Sequence, residues 1–286
     1  MQGKIAIVTG GNAGIGKQTA IGLAKKGATL VLFCRNEEKG KTAQKEIKTQ
    51  TGNQSIDLIQ CDLSSLQSVK KAATEFQNKY DKLDILINNA GLFFDRLSHT
   101  SDGFETQFQV NHLSHFYLTS LLLGLLKKSN SARIVNVSSA AHRGRKIDFE
   151  NLVYGKEKYD GLDVYGQTKL ANVLFTYELS RRFAAQGISS FALHPGVVRT
   201  KIGQKHTKGW VNWGWKLLTS LPIFSISEQK GAATSLYAAT SPTLQGISGK
   251  YLKDCKIIKS TKQSYDEQTA KKLWELSESL LKKKTM

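Results

Sequence analysis

The sequence predicts an α/β protein, a doubly wound parallel sheet of about seven strands with helices on both faces. Three observations carry this. Short β-rich runs alternate with helical stretches along all 286 residues. Most of these runs are continuously apolar, as in parallel strands covered on both faces, and do not alternate as a half-exposed sheet would. A glycine-rich turn joins the first run to the first helical stretch, where an α/β unit forms its ligand-binding end. The chain has three prolines, no Pro-rich linker and no low-complexity block, so residues 1–286 read as a single domain.

The elements follow in order. KIAIVTG at 4–10 is the first strand, and the helical stretch GKQTAIGLAKKG at 16–27 ends on Gly27, a residue suited to the left-handed turn that closes helices. TLVLFC at 29–34 and SIDLIQC at 55–61 are the next strands, followed by the helical pattern SVKKAATEFQNKY. LDILINN at 83–89 is the fourth strand. The longest apolar run, FYLTSLLLGLL at 116–126, contains Thr and Ser and ends at Lys127-Lys128. It falls short of the roughly 20 residues of a spanning helix and reads as a buried or interface helix. ARIVNVSS at 132–139, ISSFALH at 188–194 and GKYL at 249–252 complete the sheet.

Bulk properties narrow the function. Cys34, Cys61 and Cys255 form no CxxC pair and are odd in number, which argues against a disulfide framework and for a reducing compartment. With no signal or transit peptide fitting before the first strand, the chain reads as cytoplasmic. A net charge of +18 suits nucleic acid or an anionic membrane surface. The lysines are spread along the chain, however, with one dense run at Lys282-Lys283-Lys284, and no nucleic-acid-binding signature accompanies them. No nucleic-acid partner is expected. His112 and His115 lie three apart with no third ligand in sight, so no metal is expected. His194, before Pro195-Gly196, reads as loop structure.

The turn after the first strand has the spacing T-G-x-x-x-G-x-G, with Gly10, Gly14 and Gly16 as its spaced glycines. Glycine lets the backbone approach a ligand closely, and the free N–H groups and positive dipole end of the following helix face a bound anion such as a pyrophosphate. A fold preferring NAD places an acid about 20 residues further on. Here that place falls near Cys34, with Arg35 next. A guanidinium matches a 2′-phosphate in charge and geometry, which favours NADP(H). Lys17 could add positive charge. Further along, Tyr165 and Lys169 are four apart on a helical pattern and can share a face. A nearby ammonium and the cationic nicotinamide of the oxidised cofactor would favour tyrosinate and lower the tyrosine pKa.

Together these stretches resemble a classical short-chain dehydrogenase/reductase, in the family's order: TGGNAGIG at 9–16, CDLSS at 61–65, NNAG at 88–91, Asn111 in VNHLSHFYLT, IVNVSS at 134–139, YGQTK at 165–169 and HPGVVRT at 194–200. FCRNEEKG, the insert AHRGRKIDFENLVYGKEKYDGLDV, LANVLFTYELSRRF and AKKLWELSESLL resemble its retinol dehydrogenase-like branch. The resemblance implies a Rossmann domain and an oxidoreductase using NADP(H) on lipophilic carbonyl or alcohol substrates, commonly as a homodimer or homotetramer. It implies Asn111, Ser139 (with Ser138 the alternative), Tyr165 and Lys169 as catalytic residues, with Asn111 holding a proton-relay water. It implies cofactor contacts from Gly10, Asn12, Gly14, Ile15, Gly16, Arg35, Asp62, Leu63, Asn89, Ala90, Gly91, Tyr165, Lys169, Pro195, Gly196, Val198 and Thr200.

Residues 201–226 correspond to the family's variable substrate lid. Trp210, Trp213 and Trp215, with Leu217, Leu218, Leu221 and Phe224, suit a lid over a lipophilic substrate or a peripheral membrane contact, and equally a helix pair packed on the core or on a second subunit. A catalytically silent NADP(H)-binding scaffold or sensor is the alternative function; the intact Asn111, Ser139, Tyr165 and Lys169 speak against it.

Overall fold

A computed structural model describes residues 1–156, 158–196 and 226–285. In chain order the elements are β1 (Ile5–Thr9), α1 (Gly14–Lys25), β2 (Thr29–Cys34), α2 (Glu37–Thr51), β3 (Ile56–Gln60), α3 (Leu66–Lys79) and β4 (Ile85–Asn88). Helix α4 runs through Thr106–Phe108, a π turn at Gln109–Leu113, and Ser114–Lys127. Then come β5 (Ala132–Val137), α5 (Phe149–Tyr154), α6 (Gly161–Phe183), β6 (Ile188–His194), α7 (Glu228–Thr240), β7 (Lys250–Lys253), β8 (Lys256–Ile258) and α8 (Glu267–Thr285).

The strands form one sheet in the order β3-β2-β1-β4-β5-β6-β7-β8. All neighbours are parallel except β7 and β8. The expected seven strands are therefore corrected to eight. The added strand is the three-residue KII, mostly exposed, which carries no buried apolar run to announce it. It returns through a turn in which Asp254 and Cys255 both have positive φ.

Alternate residues of each strand feed the two faces. Ile7, Val31 and Phe33 face α3, α4 and α6, whereas Ala6, Val8, Leu30 and Leu32 face α1 and α7. Burial on both faces explains the continuous apolar runs. Chain order reverses between β1 and β4, and the crevice at the carboxyl ends of such strands is the ligand-binding place of open α/β sheets. The run FYLTSLLLGLL lies in α4, with Phe116, Leu118, Leu122 and Leu126 buried within the chain. Helix α8 helps cover it: the Trp274 ring lies 4.8 Å from Phe116 and 5.8 Å from Phe175.

Apart from Ile226, the expected lid at 201–226 lies outside the described residues, as do Val198 and Thr200. Among the described residues no helix is long and apolar enough to cross a membrane.

Candidate active site

The β1–α1 turn is shaped to receive an anion. Helix α1 begins after Ala13 with no side-chain cap and no acid in its first turn, whereas α2, α3 and α7 are capped by Asn36, Ser65 and Ser227. Its first N–H groups and dipole are thus left for a ligand. Gly10 and Gly14 take positive φ. At Gly16 a Cβ would lie 2.3 Å from the Gly10 carbonyl oxygen and 2.4 Å from Asn89 Nδ2, so only glycine allows the helix to start this close to the turn. A dinucleotide pyrophosphate fits this cradle. Asn12 and Gly11 direct backbone N–H groups at the Cys34 thiol, whose pKa burial nonetheless pushes up to about 12. Ile15 sits in the first turn of α1, its carbonyl accepting from Thr19 Oγ1.

Arg35 follows β2 directly and is exposed, with Glu37 and Glu38 opening α2 just beyond it. Lys17 is paired with Glu46 of α2, which offsets the charge it would bring to the turn. Past β3, Asp62 Oδ1 accepts from Ser64 N and Oγ at 2.9 and 2.7 Å, and Leu63 is buried with its carbonyl accepting from Ser114 Oγ. Asn89 and Ala90 donate their amides to Thr9 Oγ1 at 2.9 and 3.0 Å. Asn89 Nδ2 also reaches the Thr9 carbonyl at 2.9 Å. Pro195 and Gly196 follow β6, Gly196 at φ 90°.

Four other expected residues converge beside this turn. Tyr165 and Lys169 share one face of α6, Lys169 Nζ lying 5.5 Å from the Tyr165 ring centroid. Gly166 permits α6 to approach the turn after β5, since a Cβ there would lie 2.6 Å from the Ala141 carbonyl oxygen. Ser139 in that turn hydrogen-bonds Tyr165 and accepts from Ala141 N at 3.2 Å. Ser138 is turned away: it is buried, and its hydroxyl donates to the Lys169 carbonyl at 2.7 Å. Asn111 occupies the π turn of α4. Its Oδ1 accepts from Leu92 N at 2.8 Å, and its Nδ2 donates to Leu92 O at 3.0 Å and Thr168 Oγ1 at 3.1 Å. Gly91 lies between the two groups, for a Cβ there would be 3.2 Å from Asn111 Oδ1 and 3.3 Å from Lys169 Nζ.

Burial governs the electrostatics. It pushes the Tyr165 phenol up to about 12, against the Ser139 hydrogen bond that pulls it down. It also pulls the Lys169 ammonium down to about 8. The lowering expected from Lys169 and a cationic nicotinamide is not the direction set by the protein's own groups, where desolvation outweighs the Ser139 hydrogen bond. His112 and His115 are both fully buried and held neutral by burial, at about 4 and about 3. Among the described residues no metal-binding cluster forms. His194 closes β6, its Nδ1 accepting from Gly196 N at 3.4 Å.

Three contributors were not singled out by sequence: Thr9, which gathers the Asn89 and Ala90 amides; Thr168, which donates to the Tyr165 carbonyl at 2.7 Å; and Phe93, set edge-on to the Tyr165 ring at 5.7 Å. Thr9 and Thr168 lay inside quoted motifs, so their positions were visible although their partners were not.

Comparison with known proteins gives a consistent picture. A family profile described as short chain dehydrogenase matches residues 4–209. Retinol dehydrogenase 11 of Homo sapiens is 43% identical over 281 residues, spanning 98% of this chain and 86% of that protein. Retinol dehydrogenase 13 of Homo sapiens is 45% identical over 277 residues, spanning 95% and 82%. Among solved structures, an uncharacterized protein from Mycobacterium Paratuberculosis is 33% identical with a TM-score of 0.78, covering 98% of this chain and 94% of that one. A short chain dehydrogenase from Shigella flexneri, solved with NADP, shares the fold at 24% identity and a TM-score of 0.69, covering 88% and 96%.

Proposed function

The chain belongs to the short chain dehydrogenase family, in its retinol dehydrogenase-like branch, and on that premise we propose an NADP(H)-dependent oxidoreductase that interconverts a carbonyl and an alcohol, with Tyr165 as acid and base. The observation that carries the reading is the meeting of Ser139, Tyr165, Lys169 and Asn111 beside an uncapped, glycine-floored helix N-terminus. When bound, NADP(H) supplies or takes up the hydride. The protein's part is to move a proton and hold the substrate oxygen. In reduction Tyr165 gives its phenolic proton to that oxygen; in oxidation it takes the proton back. Ser139, whose hydroxyl accepts from Ala141 N and turns its hydrogen towards Tyr165, would donate that hydrogen to the substrate oxygen instead. Lys169 places positive charge beside the developing tyrosinate.

The turn residues Gly10, Asn12, Gly14, Ile15 and Gly16 would hold the pyrophosphate. Arg35 would take the 2′-phosphate that distinguishes NADP(H), and the position near Cys34 where an NAD-preferring fold places its acid carries none. The substrate class, lipophilic aldehydes, ketones or alcohols, rests on the likeness to retinol dehydrogenases.

The test is NADPH oxidation with a panel of short and long-chain aldehydes and ketones. Turnover should appear for wild type, and Tyr165→Phe should lose about 10²–10⁴-fold of it while binding NADPH normally. Arg35→Asp should raise the KM for NADPH by about tenfold and leave that for NADH unchanged or lower. NADPH binding without turnover of any compound would identify a silent scaffold instead. Absence of NADPH binding would refute the whole reading.

A further inference from the structure

We propose that His115 is a positioning residue for this site, tying the backbone carbonyl of Asn111 to the glycine-turn strand through Thr9; the proposal rests on the functional reading above. His115 lies one turn after Asn111 in α4 and is buried. Its Nε2 is 2.9 Å from Thr9 Oγ1 and its Nδ1 is 3.3 Å from the Asn111 carbonyl oxygen.

The hydrogen bonding fixes the tautomer. Thr9 Oγ1 accepts from the amides of Asn89 and Ala90, which fills both of its lone pairs. Its one hydrogen must go outward. His115 Nε2 at 2.9 Å is a nearer acceptor than the Ile87 carbonyl at 3.3 Å. So Nε2 accepts, and the ring hydrogen sits on Nδ1, where its partner is an oxygen that can only accept. The chain therefore runs Thr9 O–H to His115 Nε2, and His115 Nδ1–H to Asn111 O. Burial keeps the ring neutral, so this arrangement holds across the working pH range.

Asn111 needs such a tie because it sits where regular helix bonding is interrupted. The Ser114 N–H reaches back to Gln109 O across the π turn, and π turns are departures from the ordinary helix ladder that recur at functional sites. The Asn111 side chain is clamped by Leu92 and Thr168, while its carbonyl is met by His115. Asn111 Oδ1 and Lys169 Nζ approach the same point above Gly91. A shift of the π turn thus moves the polar wall beside the Lys169 ammonium. A leucine would fill the space but would leave Thr9 Oγ1 and Asn111 O without this link.

Two amide substitutions separate the two halves of the bridge. His115→Asn keeps a donor near the Nδ1 position, towards Asn111 O, but is too short for Thr9. His115→Gln reaches Thr9 with an acceptor but offers no donor to Asn111 O. In NADPH-linked carbonyl reduction, His115→Gln should lower kcat by about tenfold or more, with the KM for NADPH within about twofold of wild type. The alkaline limb of its kcat profile should shift by about half a pH unit or more, as Lys169 and Tyr165 titrate beside a moved wall. His115→Asn should recover kcat to within about threefold of wild type. Equal impairment of both variants, with melting temperature and NADPH affinity falling in parallel, would reduce His115 to packing and overturn the proposal. So would wild-type kcat and pH profile in both. Should neither variant fold, ¹⁵N NMR of the wild-type imidazole decides: a proton on Nδ1 supports the bridge, and one on Nε2 overturns it. Tyr165→Phe in the same assay separates the layers. If it keeps full turnover, the functional reading fails. If it abolishes turnover while both His115 variants match wild type, only the bridge fails.

Discussion

Replacing Lys169 by methionine should make the protein more stable at neutral pH while removing its activity. Lys169 is 3% exposed, and burial alone pulls its pKa from the ordinary 10.5 to about 8. That drop corresponds to about 3 kcal/mol of disfavoured charging in the folded state. Methionine fills a similar volume without charge. It loses the hydrogen bond from Lys169 Nζ to the Val137 carbonyl at 3.2 Å, worth about 1 kcal/mol. It does not orphan that carbonyl, which also accepts from Asn172 Nδ2 at 3.3 Å. The net gain at pH 7 is therefore about 2 kcal/mol. The sign with pH follows from the depressed folded-state value. Below about 8 the lysine is protonated in both states and its full burial cost is present. Between about 8 and 10.5 the unfolded chain holds a proton that the folded chain has released, so wild-type stability rises relative to the variant. Above 10.5 the lysine is neutral in both states and the advantage of methionine is gone. Urea unfolding of both proteins at pH 7 and at pH 10 to 10.5 measures this directly. Equal stability at pH 7, or a gap that stays constant across that range, would refute the reasoning, and with it the claim that Lys169 is retained against its own burial cost for what it does beside Tyr165.

Three further outcomes follow from the geometry. Ser139→Ala should cut carbonyl reduction by about 10²-fold through loss of a donor to the substrate oxygen, whereas Ser138→Ala, which loses only its bond to the Lys169 carbonyl, should cost about 1 kcal/mol of stability with kcat far less affected; the reverse ranking would assign the site to the wrong serine. Gly16→Ala should weaken NADPH binding by about tenfold or more, since its Cβ would meet the Gly10 carbonyl at 2.3 Å and force the cradle open; fluorescence titration showing wild-type affinity would mean the turn is not the cradle. Trp274→Ala should destabilise by about 3–5 kcal/mol in urea unfolding, because its ring packs on Phe116, Phe175 and Phe183; a loss below about 1 kcal/mol would show that α8 is not part of the core.

What the sequence made legible was whatever leaves a local pattern. The parallel strands were readable because burial on both faces demands unbroken apolar runs such as IAIVT and ARIVNV. Strand β8 was not, since KII at an exposed sheet edge needs neither apolarity nor alternation. Tyr165, Lys169, Ser139 and Asn111 were readable as residue types in spaced motifs. Thr9, His115 and Thr168 were not, because their roles are hydrogen bonds spanning long sequence separations, such as the one from Thr9 to His115. Which of Ser138 and Ser139 is spent on the Lys169 carbonyl and which is left beside Tyr165 is not recorded in the strand pattern. The upward push on the Tyr165 pKa was hidden for a related reason: the depth of burial that causes it is a property of the packed fold.

Helix α6 supplies an independent physical argument for the pair. It is buried from Val164 to Leu179, so each polar side chain along that stretch must find partners. Most do so within the protein. Gln167 donates to Asp163 and accepts from Asp148 N. Thr168 bridges Asn111 and the Tyr165 carbonyl. Asn172 meets Val137 O and His112, Thr176 joins Asn136 to the Asn172 carbonyl, and Glu178 holds both Arg181 and Arg182. Lys169 differs from these. It carries three donors and a charge, yet donates to one carbonyl at 3.2 Å. A helix selected for stability alone would place an apolar residue there, because an unpaired ammonium is among the costliest groups to bury. The exception falls one turn from Tyr165, beside Asn111 and Gly91, where positive charge serves proton transfer. The polar satisfaction of α6 thus singles out the same residue as the YGQTK motif, by an argument that uses no family pattern.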